Sequence, residues 1–188
     1  MSAIILIGGY PGAGKTAFSL RLSAELGIPC FNKDHMKNVL WEHFRFSTRE
    51  ESLRFSMAAF GLLRYAAERF IKAGKPAIIE SNFRPPEAEA LKSLFDETSC
   101  RSLAYLFVGD LRAIHRRFVE RESLPERGEG NRMHGLSDDF GDFAEGVKTL
   151  GEVDFGGKTV RVDATDFGKV DYEGLIREAV EFIGGMNL

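Results

Sequence analysis

An open α/β fold, with parallel strands in one sheet and helices packed on both faces, is the class this sequence predicts. Three observations carry that prediction. Short β-branched runs alternate with helical stretches along the chain, the pattern of parallel strands joined by crossover helices. The first run, Ala3-Ile4-Ile5-Leu6-Ile7, leads into Gly9-Tyr10-Pro11-Gly12-Ala13-Gly14-Lys15-Thr16, which satisfies G-x-x-x-x-G-K-[ST] between a strand and a helix. At 188 residues and 44% hydrophobic content, the chain suits a single domain over residues 1–188 with a full core.

The elements follow in order. After the loop, Ala17 to Leu26 places Phe18, Leu20, Leu22 and Leu26 at helical spacing, and Ile28-Pro29-Cys30-Phe31 reads as a short second strand. Asp34 to Phe44 is helical, with Met36, Val39, Leu40 and Phe44 on one face. Thr48-Arg49-Glu50-Glu51 has capping-box spacing and opens a long helix to about Ala73, which Gly74 ends. Pro76 to Glu80 is the third strand, and Pro85-Pro86 start a helix with Ala88, Leu91, Leu94 and Phe95 as its apolar residues. Leu103 to Val108 is the fourth strand, followed by a basic helix from about Leu111 to Glu122. Ser123 to Gly135, with Pro125, Gly128, Gly130 and Gly135 among many charges, predicts a mobile loop, and 112–136 together form a small lid. Ser137-Asp138-Asp139 is placed to cap a short helix reaching about Thr149; Lys158 to Val162 is the fifth strand and Tyr172 to Ile183 the last helix. The chain is therefore expected to form a P-loop nucleotide-binding fold with a five-stranded parallel sheet.

The loop carries the most specific chemistry. Gly9, Gly12 and Gly14 let backbone N–H groups curl around phosphate oxygens, with Pro11, Ala13 and Ala17 completing the cradle. The helix N-terminus adds partial positive charge, Lys15 reaches the β- and γ-phosphates, and Thr16 is the Mg²⁺ ligand. ATP with Mg²⁺ is the expected cofactor pair. Asp34 lies just past the second strand, at the sheet end where ligands gather, as a base for an attacking hydroxyl or as a helix N-cap. Lys37, one turn on, faces the same cleft or solvent. Ser81 and Asn82 end the third strand, placed to bond a substrate hydroxyl or to bridge the strand into the next helix. Glu80 beside them is a substitute for the acidic residue that works through Mg²⁺. Arg112, Arg116, Arg117 and Arg121, with Arg127 and Arg132 beyond, are candidates to close over a transferring phosphoryl group; Arg117 and Arg121 share a helical face. His134 is a weaker lid candidate. Thr165, within Asp163-Ala164-Thr165-Asp166 after the fifth strand, falls where the chain passes the adenine.

Bulk properties narrow the partners. A net charge of −3 argues against a surface that coats nucleic acid. No apolar run approaches the roughly 20 residues of a membrane span, and no basic-then-apolar leader opens the chain. Cys30 and Cys100 have no metal-ligand spacing and read as small buried hydrophobes, so the cytoplasm is the expected compartment.

Four segments taken together resemble a known group: Gly9 to Thr16, Asn32-Lys-Asp-His-Met-Lys37, Ile79-Glu-Ser-Asn-Phe-Arg-Pro85 and Arg117-Phe-Val-Glu-Arg121. They resemble the polynucleotide-kinase-like branch of small P-loop kinases, a group of small AAA-type ATP-binding proteins similar also to zeta-toxin-type and chloramphenicol-phosphotransferase-like kinases. The resemblance implies that Asp34 is the general base, that Lys37 contacts substrate, and that Arg117 and Arg121 lie near the transferring phosphate. Where this chain has Lys37 the polynucleotide kinases usually carry arginine, and lysine makes no bidentate phosphate contact. A basic, aromatic-rich groove for single strands is also missing. A small hydroxylated molecule is thus the expected acceptor, with a polynucleotide 5′-hydroxyl kinase as one alternative. The other is a nucleotide-switched regulatory ATPase, which Phe44, Phe46, Phe55 and Phe60 would serve as an exposed patch if they did not pack under the long helix.

Overall fold

The computed structural model describes residues 2–122, 124, 129–132 and 139–184. Five parallel strands, β1 (Ala3–Gly9), β2 (Cys30–Asn32), β3 (Ala77–Glu80), β4 (Arg101–Val108) and β5 (Lys158–Asp163), form one sheet in the order β2-β3-β1-β4-β5. The helices are α1 (Lys15–Leu26), α2 (Lys33–Phe44), α3 (Arg49–Lys72), α4 (Pro85–Thr98), α5 (Leu111–Glu122), α6 (Glu129–Arg132), α7 (Phe140–Val147) and α8 (Tyr172–Ile183). The parallel α/β class and its five strands stand as the sequence predicts.

Side-chain alternation along β1 divides the core in two. Ile5 and Ile7 join Phe18 and Leu22 of α1, Ile114 and Phe118 of α5, Phe143 of α7 and Ile176 of α8. Ile4 and Leu6 face the other way, against Leu63, Ala67 and Ile71 of α3 and Leu91, Leu94 and Phe95 of α4. Because β1 is buried on both faces, it reads as an unbroken apolar run. Burial raises both thiols, which are free.

Local signals set most boundaries. Thr48 and Glu51 form the full capping box at the start of α3, and Gly74 follows its end at φ 69°. Asp139 caps α7 through the amides of Gly141 and Asp142, at 2.8 and 3.1 Å. Ser137 and Asp138, offered with it as caps, lie outside the described residues, as do Arg127, His134 and most of the segment expected to be a mobile loop. Within that segment the structure adds α6, one helical turn that carries no periodicity a sequence could reveal. The N-cap of α2 is a correction: Asn32 fills it, its Oδ1 accepting the His35 amide at 2.7 Å. Asp34 instead occupies the first turn, where its charge suits the helix dipole. Phe46 is buried and stacks on Phe55 at 4.5 Å between ring centroids, and Phe60 packs against the core; Phe44 alone of those four is mostly exposed.

Register delivers the site. Ile7 of β1 lies opposite Glu80 of β3, and Asn32 of β2 lies opposite the same Glu80. The ends of three adjacent strands thus converge beside the loop that leaves β1.

Candidate active site

The Gly9–Thr16 loop is built for close backbone approach. Gly9, Gly12 and Gly14 take φ of 111°, 83° and 85°, a region that strains any side chain. A Cβ on Gly9 would run into the Phe107 carbonyl, and one on Gly12 would crowd the Ile114 carbonyl at 3.0 Å. Gly14 is the N-cap of α1 and supplies no side-chain cap, and no acid occupies the first turn. The N–H groups that open α1 therefore receive no cap and no acid from their own first turn, the arrangement a phosphate requires. Gly9 and Ala13 are buried framework; Pro11, Gly12, Gly14, Lys15, Thr16 and Ala17 line a cavity of about 710 Å³. Lys15 is 6% exposed, and its Nζ donates to the Tyr10 carbonyl at 2.7 Å.

Glu80 forms the floor beside Thr16. The Thr16 hydroxyl donates to Glu80 Oε2 at 3.0 Å, and Asn32 Nδ2 donates to the same oxygen. Burial pushes the Glu80 carboxyl up to about 7; Lys15 opposes the rise, Asp34 adds to it, and the Thr16 hydroxyl and Arg121 oppose it. A carboxylate on the Thr16 hydroxyl suits Mg²⁺, which takes few protein ligands and keeps several waters. The donor set fits that ion.

Asp34 lines the same cavity, together with Lys33 and Lys37 of α2, Arg49 and Ser56 of α3, and Asn82 and Arg84 of the β3–α4 loop. Lys37 does face the cleft: it is 4% exposed, donates to Ser52 Oγ at 2.8 Å and lies 5.7 Å from the Phe46 ring. Lys33 is held by Glu87 at 2.8 Å, both side chains nearly buried. A second cavity, of about 470 Å³, shares Thr16, Asp34, Arg121 and Asn131 with the first. Asn131 of α6 is buried and donates to the Asp34 carbonyl at 3.0 Å, which ties α6 to the start of α2.

The two arginines part company. Arg117 donates to the Ala164 carbonyl at 2.6 Å and lies 4.0 Å over the Phe167 ring. Burial and neighbouring Arg116 lower its pKa. Phe167 in turn leans over Gly14, so Arg117 belongs to the β5 side of the loop. Arg121 lines both cavities, its Nη2 3.2 Å from Glu122.

Ser81 and Thr165, both expected at the site, sit apart from the cavity walls, as do Arg112 and Arg116. Ser81 is buried, and its Oγ accepts the Phe83 amide at 3.3 Å, bridging β3 toward α4. Thr165 is exposed; its hydroxyl takes the Asp110 amide at 2.8 Å and donates to Asp163 at 2.5 Å, clamping the β4 and β5 ends together. Sequence reasoning missed Lys33, Arg49, Ser56, Arg84, Asn131 and Phe167. No motif links them, because three separate helices and two loops contribute them.

Comparisons with known proteins agree with this architecture. A family model described as an AAA domain matches residues 4–133, more than half of the chain. No curated protein matches the sequence. Among solved structures, a proposed kinase from Chloroflexus aurantiacus superposes with a TM-score of 0.81 at 24% identity, over 96% of this chain and 97% of that one. A sugar kinase from Janibacter gives 0.61 at 14% identity, over 97% and 95%. A gluconokinase from Sinorhizobium meliloti gives 0.56 at 13%, over 95% and 90%. At these identities the likeness is one of fold, that of the small P-loop kinases. No helix among the described residues is long and apolar enough to cross a membrane.

Proposed function

The chain belongs to the AAA-domain family matched over residues 4–133, and we propose that it is an ATP-dependent phosphotransferase acting on a hydroxyl of a small molecule. One observation carries the proposal. The phosphate loop and Asp34 line one cavity, which extends past the loop to Lys33, Lys37, Arg49, Asn82 and Arg84. A site that only hydrolysed ATP would have no use for Lys37, Arg49, Asn82 and Arg84 beyond the loop.

The roles follow from position. Lys15 and the loop amides hold the phosphates, and Arg117 with Phe167 borders the nucleotide on the β5 side. Thr16 would hold Mg²⁺, with Glu80 orienting its waters; the ion would neutralise charge on the β- and γ-phosphates. Asp34 orients the acceptor hydroxyl and takes its proton as the oxygen bonds to the γ-phosphorus. The bond from that phosphorus to the β–γ bridging oxygen breaks, and ADP leaves with the electron pair. Arg121 offsets the negative charge gathering on the equatorial oxygens. Lys37, Asn82, Arg49 and Arg84 grip the remainder of the acceptor.

The test is ADP formation with Mg²⁺, alone and with sugars, sugar acids, nucleosides, aminoglycosides and 5′-hydroxyl oligonucleotides, each product identified by mass. Acceptor-dependent turnover with a phosphorylated small molecule is expected. Asp34→Ala should lower that turnover by about 10²–10⁴-fold with ATP affinity nearly intact. Steady hydrolysis indifferent to every acceptor would overturn the proposal in favour of a regulatory ATPase. Selective oligonucleotide phosphorylation, with steep salt dependence, would replace the small molecule by a nucleic-acid end.

A further inference from the structure

The long helix α3 turns its inner face, Ser52, Ala59, Leu63, Ala67 and Ile71, into the protein. Its outer face is more apolar than a solvated helix needs. Met57 is 74% exposed, Tyr65 60%, Leu62 49% and Leu53 38%. Gly61 sits at the centre of that face, and a Cβ there would meet nothing within 4 Å. Glycine in mid-helix costs roughly 0.5–1 kcal/mol against alanine, so its use at an exposed, unstrained position has no explanation within the monomer.

Charges flank this stripe with a symmetry about Gly61. Glu50 and Lys72 lie eleven residues to either side of it, and Arg54 and Glu68 lie seven to either side. At about 100° per residue all four fall within roughly 20° of the Gly61 direction, and Met57 and Tyr65 within about 40°. In the single chain, Glu50 pairs with Arg54 at 2.6 Å and Glu68 pairs with Lys72, both along the helix surface. An antiparallel copy of α3 crossing at Gly61 sets each charge against its opposite: Glu50 of one copy against Lys72 of the other, and Arg54 against Glu68. Met57 then meets Tyr65 across the axis. A two-fold contact requires this self-complementarity, in which residue i meets j and j meets i.

We infer that α3 is the interface of a two-fold homodimer, an antiparallel helix pair in closest approach at Gly61. The missing side chain lets the backbones near one another, the apolar stripe supplies most of the affinity, and the charge pairs set the register. The contact lies on the outside of α3, away from the nucleotide loop. It holds whether or not the proposed phosphotransfer is right.

Sedimentation equilibrium of the full chain tests it. The wild type should be dimeric at micromolar concentration. Gly61→Glu should give a folded monomer, with unchanged far-ultraviolet circular dichroism and no loss of nucleotide binding. Lys72→Glu alone sets like charges opposite Glu50 twice per dimer and should weaken association about tenfold; Glu50→Lys added to it should restore most of that loss. A wild type that remains monomeric at high concentration overturns the inference and leaves the face to a different partner. A dimer that survives Gly61→Glu, or a charge swap that fails to restore association, overturns it equally.

Discussion

The two ends of the long cavity are built on opposite principles. At the nucleotide end, eight consecutive residues do the work through the backbone: glycines at positive φ, amides at an uncapped helix start, and one lysine among them. At the other end the walls come from α2, α3 and the β3–α4 loop, and side chains do everything. Lys33 needs Glu87, fifty-four residues on, and Lys37 needs Ser52. A backbone site tolerates drift in its neighbours because its donors are covalently consecutive. A side-chain site depends on partners that must each be held in place. Arg121 and Glu80 stand at the junction, where the two constructions meet.

That contrast breaks most sharply at Arg121. If it stabilises the transferring group, Arg121→Ala lowers turnover by roughly 10³-fold or more with little change in ATP affinity, measured by single-turnover kinetics and nucleotide titration. A loss below about threefold would return Arg121 to the role of a wall.

Next in size is the Lys33–Glu87 pair. Glu87→Ala leaves a nearly buried ammonium uncompensated, so denaturant unfolding should show a loss of about 3–5 kcal/mol. The double change Lys33→Met, Glu87→Leu should recover most of it. Loop glycine contacts are untouched in either variant, so ATP affinity measured under native conditions should hold.

Glu80 adds a pH signature. Its folded pKa, about 7, lies above the ordinary carboxylate value of 4.5, so the native state holds a proton that the unfolded chain releases between those values. Stability from this group is full below about pH 4.5 and falls as pH rises to about 7, by on the order of 3 kcal/mol. Glu80→Gln, whose amide oxygen still accepts from Thr16 and Asn32, should flatten that slope in melts recorded from pH 4.5 to 8. Equal slopes in both proteins would remove Glu80 as its source.

The smallest effect concerns the acceptor side's entry. Thr48→Ala deletes the cap that starts α3 one residue before Arg49, and should cost about 1 kcal/mol in thermal or denaturant unfolding. An unchanged stability would mean that tertiary packing alone fixes the start of α3.

Much of this was legible from residue order. The α/β class, the five strands, the capping box at Thr48 and the glycine stop at Gly74 all followed from periodicity and local hydrogen-bonding chemistry. Their causes lie within a few residues of one another. Sequence alone offers Asp34 as the N-cap of α2 or as a base; Asn32 takes the cap, because pairing with β3 carries β2 that far. Residue order leaves Ser81 open between a substrate contact and a bridge out of β3, and the Phe83 amide donating to its hydroxyl favours the bridge. Arg117 and Arg121 looked equivalent from their spacing. The packing of the β5 loop separates them, since Ala164 and Phe167 hold Arg117 while Arg121 lines both cavities.

By itself, then, the sequence determined the phosphate loop, the sheet class and the ordering of the elements. Each depends on covalent neighbours, on glycine conformation and on the two periodicities of strand and helix. The tertiary structure alone decided which side chains share the cavity with Asp34, and that Glu80 sits on Thr16 with burial pushing its carboxyl up to about 7. Those outcomes rest on desolvation and on contacts between residues far apart in the chain. Neither quantity exists until the sheet has closed around them.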